Sequence, residues 1–396
     1  MNKVNDYKNA FPVYAQKNFV YLDSGATAQK PQVVLDAVRA YEVDECANIH
    51  RSMHQGASRA TAMYEDAREK IARFIHASSS ESIVFVRSAT EGINLIAHAY
   101  AALHVKRVIV SALEHHSNIV PWQLIGKEIS VIKTKEDLSV DMEHYESLLQ
   151  RFPGALVAVT HVSNAFGIKY PIEEMSLLAH RYGATILIDA AQGGAHFPLD
   201  VAANDVDFLV LSGHKLYAPT GIGVLYVHPR MHDALSVYQG GGGMITEVSF
   251  EQSRFLPYPH GFEAGTPNIS GAIGMGAAVA FIEQIGFDWL VSHERVLSER
   301  IIEGLKKRGD AVLYTSRLDS GNISFNIRGI HPSDIGILLD KQKVQVRTGH
   351  HCAQPAMRLL GIDGTVRVSF GVYNDLSDVE RFLQALDKAV RIIKGA

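Results

Sequence analysis

The feature that most constrains the fold is the regular alternation of short apolar runs with helical patterns between residues 19 and 227. The runs that we predict to be strands lie at 83–86, 107–110, 129–132, 156–162, 185–189, 207–212 and 223–227. Several of them are apolar at every position, which is typical of strands buried on both faces of a parallel sheet. The helical patterns between them lie at 90–101, 141–150 and 172–181. This alternation predicts an α/β layered domain with a mainly parallel sheet.

The pattern changes in the last third of the chain. Four consecutive glycines at 240–243 and a stretch rich in proline and glycine at 257–267 indicate irregular loops. The elements predicted beyond them are helices at 272–285, 289–308, 332–340 and 378–394, and strands at 311–314, 322–327, 344–346 and 366–370. We therefore expect a large α/β domain at 15–270 and a smaller α+β domain at 271–396, with residues 1–14 packed against the smaller one.

Composition excludes several classes of function. The 396 residues include 38 Lys plus Arg and 42 Asp plus Glu, which gives a formal charge of −4. The chain therefore lacks the excess of positive charge that binding to nucleic acid or an acidic membrane requires. The apolar stretch at 264–282 has polar residues and a proline near its start, so we expect no membrane span there. The first 16 residues lack the apolar core of a secretory signal. Neither GxGxxG nor GxxxxGK[ST] occurs, which excludes the usual dinucleotide and P-loop sites.

The two cysteines predict free thiols. Cys46 and Cys352 form no CxxC pair, so the sequence excludes a disulfide scaffold and a four-cysteine zinc site. Free thiols are typical of a reducing compartment, and we expect a cytoplasmic protein.

Chemically useful side chains follow five of the predicted strands. They are Thr90, His115, Asn164, Asp189, Gln192, Ser212, His214 and Lys215. Each has a structural explanation as well: Thr90 or Ser88 as a helix N-cap, and the others as turn or surface residues. Ligands of α/β sheets bind beyond the carboxyl ends of the strands, where these side chains are expected to meet. Their convergence on one edge favours a binding site.

This set matches the needs of pyridoxal 5′-phosphate. The cofactor requires a lysine for its Schiff base, a carboxylate that keeps the pyridine nitrogen protonated, and donors for the phosphate. Lys215 and Asp189, which are 26 residues apart, can supply the first two. The phosphate donors would be Thr90, which lies at a helix start, together with Ser212 and His214. His115 can stack on the ring.

Eight segments in unbroken order resemble the cysteine desulfurases, which belong to the class V, fold-type I aminotransferases. They are YLDSGAT (21–27), ATEGIN (89–94), EHHSNIVPW (114–122), HVSNAFG (161–167), IDAAQ (188–192), SGHKLYAPTGIGVLY (212–226), FEAGTPN (262–268) and RTGHHCAQP (347–355). The last segment resembles the group II, SUF-type subgroup. The resemblance implies a fold-type I pyridoxal-phosphate-dependent transferase. Two positions depart from the family pattern: Ala89 replaces a threonine, and Gly261 stands where an arginine is common.

The resemblance implies a role for each matching residue. Lys215 would bind the cofactor covalently and move the proton at the substrate's α-carbon, His115 would take part in catalysis, and Cys352 would accept the sulfur. The implied cofactor-binding residues are Thr90, His115, Asp189, Gln192, Ser212, His214, Lys215 and, from the neighbouring subunit, Thr266. The implied substrate-binding residues are His50, Asn164, Arg347 and Arg367.

The surroundings of Cys352 allow other interpretations. Arg347, His350 and His351 lie within five residues, and cations favour the reactive thiolate. An inert buried thiol is one alternative. A metal site at His350, His351 and Cys352 is another, but adjacent residues seldom point at one ion. His50 and His54 have helical metal spacing but lack the glutamate of HExxH, so we predict no metal site.

The sequence therefore predicts a sulfurtransferase that converts L-cysteine to L-alanine and carries the sulfur as a persulfide on Cys352. The resemblance implies a homodimer that passes the persulfide to a SUF-type acceptor protein for iron–sulfur cluster assembly. One alternative is a selenocysteine lyase, which would act on L-selenocysteine without needing Cys352. The others are another class V enzyme, such as an aminotransferase or a kynureninase-like hydrolase, and a non-catalytic scaffold in a cluster-assembly complex.

Overall fold

The computed structural model describes residues 7–16, 18–51, 53–314 and 317–395. The strands are β1 (Val20–Tyr21), β2 (Ile83–Val86), β3 (Arg107–Ser111), β4 (Glu128–Ile132), β5 (Leu156–Thr160), β6 (Thr185–Asp189), β7 (Phe208–Ser212), β8 (Gly223–Val227), β9 (Ile245–Val248), β10 (Ser253–Phe255), β11 (Ala311–Leu313), β12 (Asn322–Ile327), β13 (Val344–Gln345), β14 (Arg347–Gly349) and β15 (Thr365–Ser369). The α-helices are α1 (Pro12–Gln16), α2 (Gln32–Ala40), α3 (Gln55–Phe74), α4 (Ala89–Ile96), α5 (Ala102–His104), α6 (Val120–Leu124), α7 (Met142–Arg151), α8 (Ile172–Arg181), α9 (Ile269–Ile285), α10 (Phe287–Arg308), α11 (Pro332–Lys341), α12 (Gln354–Leu359) and α13 (Leu376–Lys394).

A seven-stranded sheet confirms the predicted α/β class. Its order is β2-β8-β7-β6-β5-β3-β4, and β8 runs antiparallel to both of its neighbours while the other adjacent pairs are parallel. Along β5, Val157 and Val159 join one apolar core while Leu156 and Ala158 join the core on the other face. Burial on both faces explains why these strands are apolar throughout. The predicted strand at 156–162 ends at Thr160, because the chain then turns and Val162 pairs with Lys169.

A second sheet has the order β11-β12-β15-β14 and is antiparallel throughout. It packs against α10 and α13 around Leu297, Val366 and Phe382. The domain boundary at 270/271 stays a prediction. Phe11 packs on Tyr217 and also on Tyr373, so the N-terminal segment contacts residues on both sides of that boundary.

Helices α2 and α3 were not predicted from the sequence. The buried face of α3 consists largely of alanines, such as Ala57, Ala60 and Ala67, which give little apolar contrast with the exposed face. These small residues let α9 approach closely, since a Cβ at Gly276 would lie 2.9 Å from the Ala67 Cβ. His54 is the N-cap of α3 and its side chain accepts a hydrogen bond from the Ala57 N–H, so His50 and His54 do not share a helical turn.

Among the described residues no single helix is long and apolar enough to cross a membrane. The pair Ile269–Ile285 and Phe287–Lys307, which is bent by 77°, meets the criteria by length and composition only.

Candidate active site

The carboxyl ends of the parallel strands open into a cavity of about 220 Å³. Nine of the residues that were predicted from the sequence line it. They are Thr90, His115, Asn164, Asp189, Gln192, Ser212, His214, Lys215 and Arg347. The sheet topology brings eight of them together, because β2, β3, β5, β6 and β7 run in the same direction and end at the same edge. Arg347 comes from β14 of the second sheet.

A carboxylate and an amine lie on neighbouring strand ends. Asp189 is the last residue of β6, and Lys215 ends the short 3₁₀ turn that follows β7. Burial lowers the pKa of Lys215 to about 8, against the opposing attraction of Asp189. Burial raises the pKa of Asp189, and the Ala191 N–H at 3.0 Å from Oδ1 and the Lys215 charge both oppose that rise. The site therefore holds an amine that loses its proton far more readily than an exposed lysine.

The start of α4 forms the polar end of the cavity. The Ser88 side chain caps this helix, and the Ala89 N–H donates to the Ser212 Oγ at 2.9 Å. The Thr90 Oγ1 lies 2.8 Å from the Ser117 Oγ. A helix N-terminus that is ringed by hydroxyls is a favourable place for a phosphate group.

His115 is held in its neutral form. Burial, and then the charge of Lys215, lower its pKa to about 3. Its Nδ1 accepts a hydrogen bond from the Ser117 N–H at 3.1 Å, so the ring hydrogen is on Nε2. Ser117, which was not predicted as a site residue, links His115 to Thr90 through its hydroxyl.

A buried chain of polar side chains sets the orientation of Gln192. The Gln192 Nε2 lies 3.1 Å from the His196 Nε2, and the His196 Nδ1 lies 2.7 Å from the Glu294 Oε1. Because the Glu294 carboxylate can only accept, His196 donates from Nδ1 and accepts at Nε2 from the Gln192 amide. The Gln192 Oε1 therefore faces away from His196, and it is buried without a hydrogen-bond partner in the described part of the chain.

The walls of the cavity fit the cofactor implied by the sequence. Besides Gln192, the buried Asn164 Oδ1 has no partner among the described residues. Unpaired buried acceptors are costly unless a ligand satisfies them. These acceptors match hydrogen-bond donors of a bound cofactor. The buried carboxylate matches the pyridine nitrogen of pyridoxal 5′-phosphate, the readily deprotonated lysine matches its need for a Schiff base, and the hydroxyls at α4 match its phosphate.

Replacing Glu294 tests the orienting chain. With Glu294→Gln the new amide can donate or accept, so His196 can adopt either tautomer and Gln192 is no longer held in one orientation. We expect the affinity for pyridoxal 5′-phosphate to fall about tenfold, equivalent to about 1.4 kcal/mol, as measured by titration of the cofactor's absorbance. Glu299→Gln is the matched control, because Glu299 lies exposed on the same helix, where it pairs with Arg295. Equal affinity in the two variants would contradict the assigned role.

Cys352 lies on a short segment between β14 and α12, and this segment is tightly held. His351 and Cys352 both have left-handed φ angles, 53° and 57°, which cost energy for residues other than glycine. The His116 N–H donates to the Cys352 carbonyl at 2.8 Å, and the His116 Nε2 accepts from the Gln354 N–H at 3.0 Å. The Asn164 Nδ2 donates to the His351 carbonyl at 2.6 Å. His116 was not predicted as a site residue, although it lies in the EHHSNIVPW segment.

Two predicted arginines lie near Cys352, but only one of them contacts its thiol. The Arg347 Nη2 is 3.4 Å from the Cys352 Sγ and can donate a hydrogen bond to it. Arg367 is fully buried and donates to the Asn164 carbonyl and to the Asp23 Oδ1, each at 2.9 Å. Arg347 thus lines the cavity, whereas Arg367 lies behind Asn164 and pairs with Asp23, which was not predicted from the sequence.

His50 and Thr266 are the two predicted site residues that lie away from the central cavity. Both line a separate cavity of about 140 Å³. Thr266 was expected to serve the neighbouring subunit, and in a single chain it does not reach the other phosphate donors. His50 lies beside Glu65 and His260 instead of Asn164 and Arg347.

Comparisons with known proteins agree with this geometry. Residues 20–382 match the aminotransferase class-V family. A probable cysteine desulfurase of Synechocystis sp. is 41% identical over 396 residues, which cover 96% of this chain and 94% of that protein. The apo cysteine desulfurase of Thermococcus onnurineus NA1 superposes with a TM-score of 0.93 at 38% identity, covering 99% of this chain and 98% of that one. The cysteine desulfurase CsdA (S-sulfonic acid) of Escherichia coli gives 0.91 at 36% identity, with 98% of each chain covered.

Proposed function

The chain belongs to the cysteine desulfurases of the aminotransferase class-V family, and we propose that it converts L-cysteine to L-alanine in the central cavity with transfer of the sulfur to Cys352. One observation carries this proposal. Lys215 and Asp189 line the same cavity as Arg347, and the Arg347 guanidinium contacts the Cys352 Sγ at 3.4 Å. The amine of Lys215, for cofactor chemistry, and the thiol of Cys352, for sulfur transfer, are therefore close to the same cavity.

Pyridoxal 5′-phosphate would be held by the residues that the cavity brings together. When bound, the cofactor supplies an electron sink that makes the α-proton of an amino acid acidic. Asp189 would face the pyridine nitrogen, and the hydroxyls at the start of α4 would bind the phosphate. The neutral ring of His115 would stack on the cofactor ring. Lys215 would bind the cofactor and, once displaced by the substrate amine, would carry the α-proton. Its lowered pKa, about 8, suits both roles.

The sulfur step uses the thiolate of Cys352. This thiolate attacks the sulfur of L-cysteine, and an S–S bond forms as the substrate's C–S bond breaks. The electron pair of the broken bond stays with the three-carbon remainder, which takes up protons and leaves as L-alanine. The Arg347 guanidinium contacts the Cys352 sulfur, and the hydrogen bonds from His116 and Asn164 keep the segment in place.

The direct test is product analysis after L-cysteine is added to the enzyme that carries its cofactor. We expect L-alanine and, without a reductant, one additional sulfur atom on the Cys352 peptide by mass spectrometry. With excess dithiothreitol we expect sulfide and alanine in equal amounts over many turnovers. Alanine without any added sulfur on Cys352, or no alanine at all, would contradict the proposal.

We also propose a homodimer in which Thr266 completes the phosphate site of the partner subunit. The support is its position, since Thr266 is exposed and lies outside its own chain's central cavity. Coexpression of Lys215→Ala and Thr266→Ala chains tests this arrangement. A mixed dimer then has one site with an intact lysine and an intact threonine from the other chain, so activity should recover to well above that of either variant alone. No recovery in isolated mixed dimers would show that Thr266 serves its own chain.

We further propose that the persulfide passes to a SUF-type acceptor protein that feeds iron–sulfur cluster assembly. The hydrogen bonds that hold the Cys352 segment limit its outward reach, so an acceptor thiol must approach the enzyme. Turnover with L-cysteine should therefore be slow alone and several-fold faster with such an acceptor. The same rate with and without it would contradict this part of the proposal.

A further inference from the structure

A second group of ligand-type side chains lies outside the candidate active site. One ligand atom each of His50, Glu65 and His260 lies within 4.8 Å of the other two. The His50 Nε2 is 3.4 Å from the Glu65 Oε1, and the centroids of the two histidine rings are 5.5 Å apart. We propose that these three side chains bind a divalent transition-metal ion, with zinc as the best match to two imidazoles and one carboxylate.

The three residues come from parts of the chain that only the fold brings together. His50 precedes α3, Glu65 lies within α3, and His260 begins a short 3₁₀ turn ahead of α9. This separation explains why the sequence predicted no metal here: His50 and His54 lack a glutamate at the HExxH spacing. The fold provides the missing carboxylate and the second imidazole from elsewhere.

Carboxylates and guanidinium groups lie around the three side chains. The Glu65 Oε2 accepts from the Arg68 Nε at 2.8 Å. The Glu65 Oε1 lies 3.4 Å from the His50 Nε2 and 3.5 Å from the Arg68 Nη2. Arg68 also makes two hydrogen bonds to Glu263, at 2.7 and 2.9 Å. Two carboxylates thus share one guanidinium, and these three residues together carry a formal charge of −1. A second cation, Arg51, lines the same cavity, but its guanidinium lies against Gly242 and Gly243.

The imidazoles are available to an ion. Apart from Glu65, neither ring nitrogen of His50 has a polar partner in the part of the chain that is described, and His260 has none there at all. The adjoining cavity of about 140 Å³ leaves room for water or another ligand in an open coordination position.

The backbone holds both histidines in place. His50 has a left-handed φ of 64°, which is costly for a non-glycine residue. After His260, a Cβ at Gly261 would lie 2.3 Å from the Leu256 carbonyl oxygen, so this turn requires glycine there. Gly261 is the position where the family commonly has arginine, and the turn that presents His260 to His50 depends on that departure.

The test is a calorimetric titration of the enzyme with zinc chloride, in the Cys352→Ser variant and with its cofactor bound. Removing this thiol eliminates a competing zinc-binding group that lies beside His116 and His350. We expect one zinc ion per chain, which excess Mg²⁺ does not displace, because hard cations prefer oxygen ligands. Adding His260→Gln or His50→Gln should weaken zinc binding at least tenfold.

His98→Gln is the matched control, since His98 is exposed on another helical segment and lies outside this group. Thermal unfolding without zinc shows whether each variant is folded, and zinc should raise the midpoint in the Cys352→Ser parent but not after His260→Gln. Zinc binding of equal strength in the His260→Gln and His98→Gln variants, or no stoichiometric binding in the parent, would overturn the proposal.

Discussion

Cys352→Ser is expected to lower the production of alanine from L-cysteine by a factor of about a thousand or more, while the cofactor stays bound. A hydroxyl is a far weaker nucleophile toward sulfur than a thiolate at neutral pH, so the transfer step fails. The groups that would hold the cofactor, Lys215 and Asp189, are untouched by the change. Alanine release and the visible absorbance of the cofactor, measured on the same sample, separate the two effects.

Cys46→Ser is the matched control for this experiment. Cys46 is an exposed free thiol at the end of a short helical segment, and it does not line the central cavity. We expect nearly full activity and an unchanged persulfide on Cys352 in that variant. Selenocysteine provides a second readout, because selenium leaves more readily without help, and its cleavage should survive in Cys352→Ser. Full desulfuration of L-cysteine by Cys352→Ser would show that Cys352 does not carry the sulfur.

The strand-end residues were predictable because a parallel sheet converts order along the chain into position in space. Asp189 and Lys215 each follow an apolar run, and adjacent parallel strands bring both to one edge. The same logic applies to Asn164 and Ser212. Nothing in this argument requires knowledge of side-chain packing, which explains why eight of the predicted residues line one cavity. The ninth, Arg347, comes from β14 of the other sheet and was predicted only from the family resemblance.

The residues that the sequence analysis missed act through contacts between distant segments. Asp23 pairs with Arg367 across 344 positions, and His196 reaches Glu294 across 98. No period or motif in a single sequence encodes such pairs, since each partner alone has an ordinary structural explanation. Helix α3 was missed for a different reason, because an alanine-rich buried face carries little hydrophobic contrast.

Lys215→Ala should reduce alanine production from L-cysteine by about a thousandfold or more and remove the covalent attachment of the cofactor. Its amine is the group expected to bind the cofactor and to carry the α-proton, and no other lysine lines the cavity among the described residues. Borohydride reduction of the parent enzyme, followed by peptide mapping, should label Lys215. Dialysis should strip the cofactor from the variant but not from the parent. A label on another lysine would refute this assignment.

Lys30 supplies the control for the chemistry of the amine. Burial lowers the pKa of Lys30 to about 8 as well, yet its Nζ donates to the Ala28 and His214 carbonyls and it does not line the cavity. A low pKa alone therefore cannot select the attachment site, and Lys30→Ala should keep both the covalent cofactor and most of the activity.

The binding of the cofactor to Lys215 should depend on pH. The neutral amine of Lys215 is the nucleophile, so the rate at which cofactor-free enzyme recaptures pyridoxal 5′-phosphate should rise with pH through about 8 and then level off. Because the opposing attraction of Asp189 keeps that pKa from falling further, Asp189→Asn should shift this profile to lower pH. A profile that stays in place in the Asp189→Asn variant would show that the carboxylate does not act on this lysine.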